Sequence, residues 1–208
     1  TLKTPSKISV NEDAVLAWKV GIATIPAVVA ALVASDFIEA HLRSAAVIAT
    51  TTIVFGIMLA FAEFRIRSTV GVRELTWGVA IAVGVAQVFA LIPGTSRSGV
   101  TIAAAVLLGI SRTESARFSF LLSIPIILAA GGYLIVELIQ ESPVFSWFQL
   151  LTAMIVSGLS AWCCIALFLK LIEKIGLMPF VWYRLILGAV LILLISNGLM
   201  VEQVVATN

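Results

Sequence analysis

The run IPGTSRSGVT, Ile92 to Thr101, places hydroxyls, glycines and one guanidinium at a spacing that suits an oxyanion. Gly94 and Gly99 remove side chains where a backbone must bend or approach a ligand closely. Pro93 ends the helix before it, and the residue preceding a proline is biased away from helix. Ser98 is placed to cap the helix that follows, with Thr95 and Ser96 just upstream. A helix start offers free N–H groups and the positive end of the helix dipole, which together favour an anion. Arg97 adds a permanently charged planar fork that matches phosphate oxygens. Thr101, one turn into the helix, lies on the side that can look back at the same anion. Every group here is a donor or a positive charge, and phosphate is the ligand this predicts. The plainer alternative is a capped helix start whose arginine pairs with a carboxylate elsewhere in the chain.

The elements that must position this loop are apolar. Of 208 residues 61% are hydrophobic and 12% charged, and mean hydropathy is +1.15. Soluble domains run nearer half apolar and a quarter charged, so the composition specifies an all-α integral membrane protein. Apolar runs fall at about 14–35, 45–62, 77–92, 100–110, 118–136, 148–169 and 180–199. Crossing the hydrocarbon takes roughly 20 helical residues. Five runs meet or approach that length, 77–92 falls short and 100–110 falls well short. Two short apolar helices around a polar turn predict a re-entrant helix-loop-helix hairpin at about 77–110 within a multi-span bundle. Irregular backbone at membrane depth is tolerated only where protein buries it or a wet cavity lines it. The alternative is two ordinary spans with the turn outside the membrane. No linker or low-complexity tract interrupts the chain, so residues 1–208 are expected to form a single polytopic domain.

Charge sets the expected orientation, because Lys and Arg accumulate on the cytoplasmic side. Lys3 and Lys7, then Arg65, Arg67 and Arg73, then Arg112 and Arg117, then Lys170 and Lys174 all fall on one side if 77–110 returns to its starting face. Asp36, Glu39, His41 and Arg43, with Glu137 and Glu141, fall on the other. Hairpin and two-span topologies both satisfy this parity. A net charge of +2, without a basic stripe, excludes a nucleic-acid role.

Other residues carry weaker signals. Gln87 precedes the loop by one or two turns, where it lines a cavity or bonds a neighbouring helix. Arg184, in FVWYRLILG, either snorkels to the cytoplasmic edge or reaches the loop, and snorkelling is the preferred expectation. His41, the only histidine, reads as a surface residue. Ser111 or Thr113 should cap a helix whose first turn holds Glu114, with Arg117 beside it. Trp18, Trp77, Trp147 and Trp182 sit near segment ends as an interfacial belt would. Ser119, Ser123 and Pro125 shape a polar face suited to helix–helix bonding. Cys163 and Cys164 are adjacent and read as unpaired core thiols, because neighbours on a helix diverge. With one histidine and this cysteine pair, no metal site is expected.

PGTSRSGVTI, followed by GISRTESARFSFLLSIPI, resembles the undecaprenyl-diphosphate phosphatases, the bacitracin-resistance membrane proteins. IPAVVAALV and KLIEKIGLMPFVWYRLILG extend the likeness over essentially the whole chain. The resemblance implies a phosphate-holding role for Arg97, Ser96, Ser98 and Thr101, with Gly94, Thr95, Gly99 and Gln87 around the substrate. It also implies inverted repeats with two re-entrant hairpins meeting near the midplane, and a divalent cation, Mg or Ca. The family's upstream Glu-x-x-x-Glu pair and Pro-x-Ser-Ser-x-Gly-His loop have no match in these residues. The chain is therefore expected to be the later two-thirds of a longer family chain.

By that resemblance the expected function is a multi-pass enzyme of the bacterial inner membrane with a site facing the exterior. It would convert undecaprenyl diphosphate to undecaprenyl phosphate, recycling the lipid carrier for peptidoglycan synthesis. Its expected partners are the polyprenyl diphosphate and membrane lipids, with a homodimer left open. Two rivals remain at this point. One is a polyprenyl-phosphate flippase or anion transporter using the same loop without hydrolysis. The other is a structural membrane subunit whose Arg97 pairs with a carboxylate.

Overall fold

The computed structural model describes residues 7–65, 70–141 and 147–199. Seven helices follow one another: α1 (Lys7–His41), α2 (Ala45–Arg65), α3 (Trp77–Ala86), α4 (Arg97–Leu107), α5 (Arg112–Glu141), α6 (Trp147–Ile175) and α7 (Met178–Ser196). Two short 3-10 turns, Val72–Glu74 and Gln87–Leu91, lie on either side of α3. Lys3 and Arg67 fall outside the described residues, as do the side chains of Lys7, Arg73, Glu137, Glu141 and Trp147.

Five of these helices are long and apolar enough to cross a membrane, and the chain is an all-α integral membrane protein. Trp77–Leu91 and Arg97–Leu107 are the shorter apolar pieces. Several long helices run past the apolar runs of the sequence, α1 by nearly two turns at each end. Hydropathy marks where a helix meets hydrocarbon, whereas backbone hydrogen bonding carries it on into polar flanks. α4 starts at Arg97, three residues before the apolar run, because Ser96 rather than Ser98 is its cap.

Both ends of the short pair return to one end of the bundle. A parallel bridge joins Val70 to Ile110, and the Ser111 amide donates to the Val70 carbonyl at 3.1 Å. Arg112 at the start of α5 holds Glu63 near the end of α2 at 3.0 Å from Nε and 2.7 Å from Nη2. Gly176, between α6 and α7, packs against both residues. Lys19 of α1 donates to the Leu75 carbonyl at 2.5 Å and lies 5.8 Å from the Trp77 ring centroid. Among the described residues α3 and α4 thus form one helix-loop-helix hairpin whose two ends lie together.

Small residues let the helices close on it, as expected where lipid supplies no hydrophobic drive. Gly84 of α3 lies against the Ala23 backbone of α1 so closely that a Cβ would run into the Ala23 carbonyl. Gly188 of α7 fits against Ile53 and Ala49 of α2, and Gly56 of α2 meets Arg184 and Leu185 of α7. Two buried clusters flank α4. One joins α1, α3 and α5 through Ala23, Val83, Ala105, Phe118 and Leu122. The other joins α2, α6 and α7 through Leu59, Ile102, Ile172, Leu177 and Val181. The hairpin is thus wedged between two halves of the bundle.

Candidate functional site

The loop is shaped by threonines that take up its carbonyls. Gly94 has φ +89° and sits against Ile48 and Thr51 of α2, where a side chain would collide. Thr51 donates to the Pro93 carbonyl at 2.7 Å and Thr52 to that of Gly94 at 3.2 Å. Thr95 is fully buried and donates to the carbonyls of Ile92 at 2.6 Å and Phe89 at 3.0 Å, closing the turn. With the acceptors occupied, the donors of α4's first turn remain. Ser96 accepts from the Gly99 amide at 3.3 Å. It does so with φ 62° and ψ 110°, a strained conformation for a residue with a side chain and one that tends to mark functional sites.

Two guanidiniums stand at this helix start. Arg97 donates from Nη2 to the Leu122 carbonyl at 2.7 Å and from Nε to Gln87 Oε1 at 3.2 Å. Arg184 is buried, at 8% exposure, and donates from Nη2 to the Gly94 carbonyl at 2.7 Å. It does not snorkel. Gly56 and Leu185 form the α2–α7 contact at this level and direct the side chain inward to the loop. Among the described residues neither arginine is paired with a carboxylate, Glu63 being held by Arg112 and Glu114 by Arg117. This counts against the reading in which Arg97 serves as half of a structural ion pair. Leu122 lies ten residues into α5, a rise of about 15 Å, or half the hydrocarbon thickness.

The loop presents two faces. Arg97 and Gln87 border an apolar cavity of about 520 Å³ whose walls include Ala27 and Ala31 of α1 and Ile126 and Ala130 of α5. Ser96, Ser98 and Gly99 border a smaller one of about 220 Å³ with Arg184, Tyr183 and Phe180. Sequence reasoning set Ser96, Arg97 and Ser98 on one anion, and the structure turns the Arg97 side chain away from the two serines. Residues 96, 97 and 98 are consecutive at a helix start, so their side chains fan out at roughly 100° intervals. Thr101 is buried, bonding the Arg97 and Ser98 carbonyls at 3.0 and 3.3 Å and the Ser119 hydroxyl at 2.7 Å.

The remaining candidates lie elsewhere. His41 stacks on Phe37 at 4.7 Å at the far end of α1. Ser111 caps α5 through the Glu114 amide at 3.4 Å. Cys163 and Cys164 are unpaired, as expected, but exposed on α6 rather than in a core. Among the described residues no group of three or more His, Cys, Asp and Glu side chains comes together.

Comparison with known proteins identifies the family. The family described as Bacitracin resistance protein BacA matches residues 2–190. A curated undecaprenyl-diphosphatase of Saccharophagus degradans is 51% identical over 185 residues, covering 89% of this chain and 69% of the relative. One of Thioalkalivibrio sulfidiphilus is 51% identical over 183 residues, covering 88% and 69%. Undecaprenyl-diphosphatase 1 of Pseudoalteromonas translucida is 46% identical over 186 residues, covering 89% and 70%. A family match over residues 2–190, with about half of the residues identical to these relatives over most of the chain, makes this chain a member of the bacitracin resistance protein BacA family.

Proposed function

We propose that the chain hydrolyses undecaprenyl diphosphate, adding water across the terminal P–O–P bond to give undecaprenyl phosphate and inorganic phosphate. The observation that carries the site is the pair of guanidiniums, Arg97 part-buried and Arg184 buried, without carboxylate partners among the described residues, at the N-terminus of α4. A cation at a helix N-terminus is opposed by the dipole, and its desolvation at membrane depth is unfavourable. An anionic ligand relieves both. Negative charge gathers on the phosphoryl oxygens and on the departing lipid phosphate as the bond breaks. Donors already fixed in a water-poor site stabilise that charge without reorganising. In this reading Arg97 neutralises it, Ser96, Ser98 and the first amides of α4 bind non-bridging oxygens, and Gln87 orients Arg97. Gly94, Gly99 and Thr95 shape the loop, and Thr101 holds α4 against Ser119. The apolar cavity beside Arg97 accepts the start of the polyprenyl tail.

The family likeness brings a divalent cation with it. The groups around this loop are donors and guanidiniums, which do not fit a divalent cation. We place the protein in the bacterial inner membrane, with the loop approached from the exterior half.

The test is phosphate release from undecaprenyl diphosphate by the purified chain in detergent, beside Arg97→Ala, with folding of both checked by thermal unfolding. We expect a folded variant to lose about 10²–10³-fold in kcat, as removal of a preorganised charge donor does. Release near the native rate would remove the loop from the reaction. A broken-helix anion site also serves transport, so binding of the lipid by the wild type without phosphate release would favour the flippase reading.

A further inference from the structure

The function proposed above uses one end of Gln87, the carbonyl that accepts from Arg97. We propose that the other end reads the lipid side of the substrate. Its Nε2 donates to an oxygen of the prenyl-bound phosphoryl group, beside Arg97 and at the head of the apolar cavity.

Several observations carry this. Gln87 is 1% exposed, and its Nε2 is a buried donor without a hydrogen-bond partner among the described residues. Its Oε1 accepts from Arg97 Nε at 3.2 Å. The amide turned the other way would set two donors against each other, so that bond fixes Nε2 as the free end. A buried donor left without an acceptor is unfavourable, and the usual employment of a glutamine in a span, bonding a neighbouring helix, does not take it up. Among the described residues Gln87 and Arg97 are the only polar side chains lining the cavity of about 520 Å³. The cavity also reaches Leu32 and Leu134, which are 78% and 60% exposed. Leu134 stands about 18 Å further along α5 than the Leu122 carbonyl that holds Arg97. A polar head at the loop and an apolar mouth beyond it is the order of groups in a prenyl phosphate. Ser96 and Ser98 border the other face of the loop, so the terminal phosphoryl group falls there and the lipid-side group falls at Gln87. When the P–O–P bond breaks, the bridging oxygen and its electron pair leave with the lipid phosphate, which gains a negative charge. A fixed amide donor holds that charge more strongly than it held the substrate.

The inference rests on the proposed phosphatase reading, and the experiment separates the two. Farnesyl phosphate, a prenyl monophosphate, and inorganic phosphate are each titrated by calorimetry into the purified full chain in detergent. The proteins are wild type, Gln87→Met and Gln87→Glu, with folding checked by thermal unfolding. In the wild type, saturating inorganic phosphate should not displace farnesyl phosphate, because the two occupy different faces. Gln87→Met keeps the bulk and loses the donor, so farnesyl phosphate affinity should fall about 10-fold or more while inorganic phosphate affinity holds. Gln87→Glu keeps an acceptor for Arg97, so that side chain stays in place, but turns a carboxylate on the lipid phosphate. It should abolish farnesyl phosphate binding and retain inorganic phosphate. Native farnesyl phosphate affinity in a folded Gln87→Met, or its displacement by inorganic phosphate, would overturn the assignment. Equal loss of both ligands would do the same, since that is the signature of a Gln87 that only orients Arg97. Absence of phosphate release from undecaprenyl diphosphate by the wild type, with the binding pattern intact, would instead fell the phosphatase reading.

Discussion

At the scale of single residues, the sequence showed which groups gather at the loop but not which way each one faces. Ser96, Arg97, Ser98 and Thr101 do lie within one turn of one helix start, as their spacing requires. Their division between two faces follows from the cap being Ser96, a shift of two residues that hydropathy does not register. Arg184 was left between two placements for a related reason. An arginine six residues into an apolar helix can extend to the interface or turn inward; Arg184 turns in where Gly56 and Leu185 pack beside it, to hold a loop carbonyl ninety residues away from itself in the chain. Thr101 illustrates how a motif residue can serve the fold. Its hydroxyl is buried against that of Ser119. Thr101→Val should leave the Ser119 hydroxyl without this partner and lower stability by about 1–3 kcal/mol, whereas Thr101→Val combined with Ser119→Ala should recover much of the loss. Thermal unfolding of the two variants checks this. Phosphate release should fall in the single variant mainly through stability, and a large loss of kcat in a fully folded Thr101→Val would return Thr101 to the reaction.

At the scale of elements, helix identity was legible and close approach was not. Five spans and two short helices follow from run lengths alone, since hydrocarbon thickness fixes what can cross. Which glycines are seams depends on the partner helix. Gly78 and Gly84 both lie in α3, two turns apart. A Cβ at Gly78 meets open space, while one at Gly84 would enter the Ala23 carbonyl of α1. Gly78→Ala should therefore stabilise the protein by about 0.5–1 kcal/mol through helix propensity. Gly84→Ala should destabilise it by about 1–3 kcal/mol by forcing α1 and α3 apart. Gly94→Ala combines a positive φ with a collision against α2, so it should disturb the seat of the loop itself. We expect a lowered unfolding temperature together with weakened phosphate binding, read by the same calorimetry, whereas Gly84→Ala should lower the temperature with less effect on binding.

At the scale of the whole molecule, the question is which way the bundle sits. The end of α2, the start of α5, the turn between α6 and α7 and both ends of the hairpin meet through Glu63, Arg112, Gly176, Val70 and Ile110. Arg65, Arg117, Lys170 and Lys174 flank that end. The opposite end carries the α1–α2 junction, where Arg43 pairs with Glu39 at 2.6 Å. Basic residues accumulate on the cytoplasmic side, and on that ground we propose that the first end faces inward. The loop, carried on an α4 of 11 residues, about 16 Å long, then stands near mid-depth. Cysteine labelling tests this directly, because Cys163 and Cys164 can be replaced by alanine to give a clean background. Arg43→Cys removes a pair that is exposed on both sides, at little expected cost. It should react with a membrane-impermeant maleimide in intact cells, while Lys174→Cys should react only after permeabilisation. The opposite pattern would invert the topology. Ser96→Cys then locates the water path to the loop. Labelling from outside, slowed by added inorganic phosphate, would mean that the diphosphate is met at the outer half of the membrane. Labelling only after permeabilisation would mean that the wedge between the two halves of the bundle opens inward, and the charge of the helix start would then be offered to the cytoplasm.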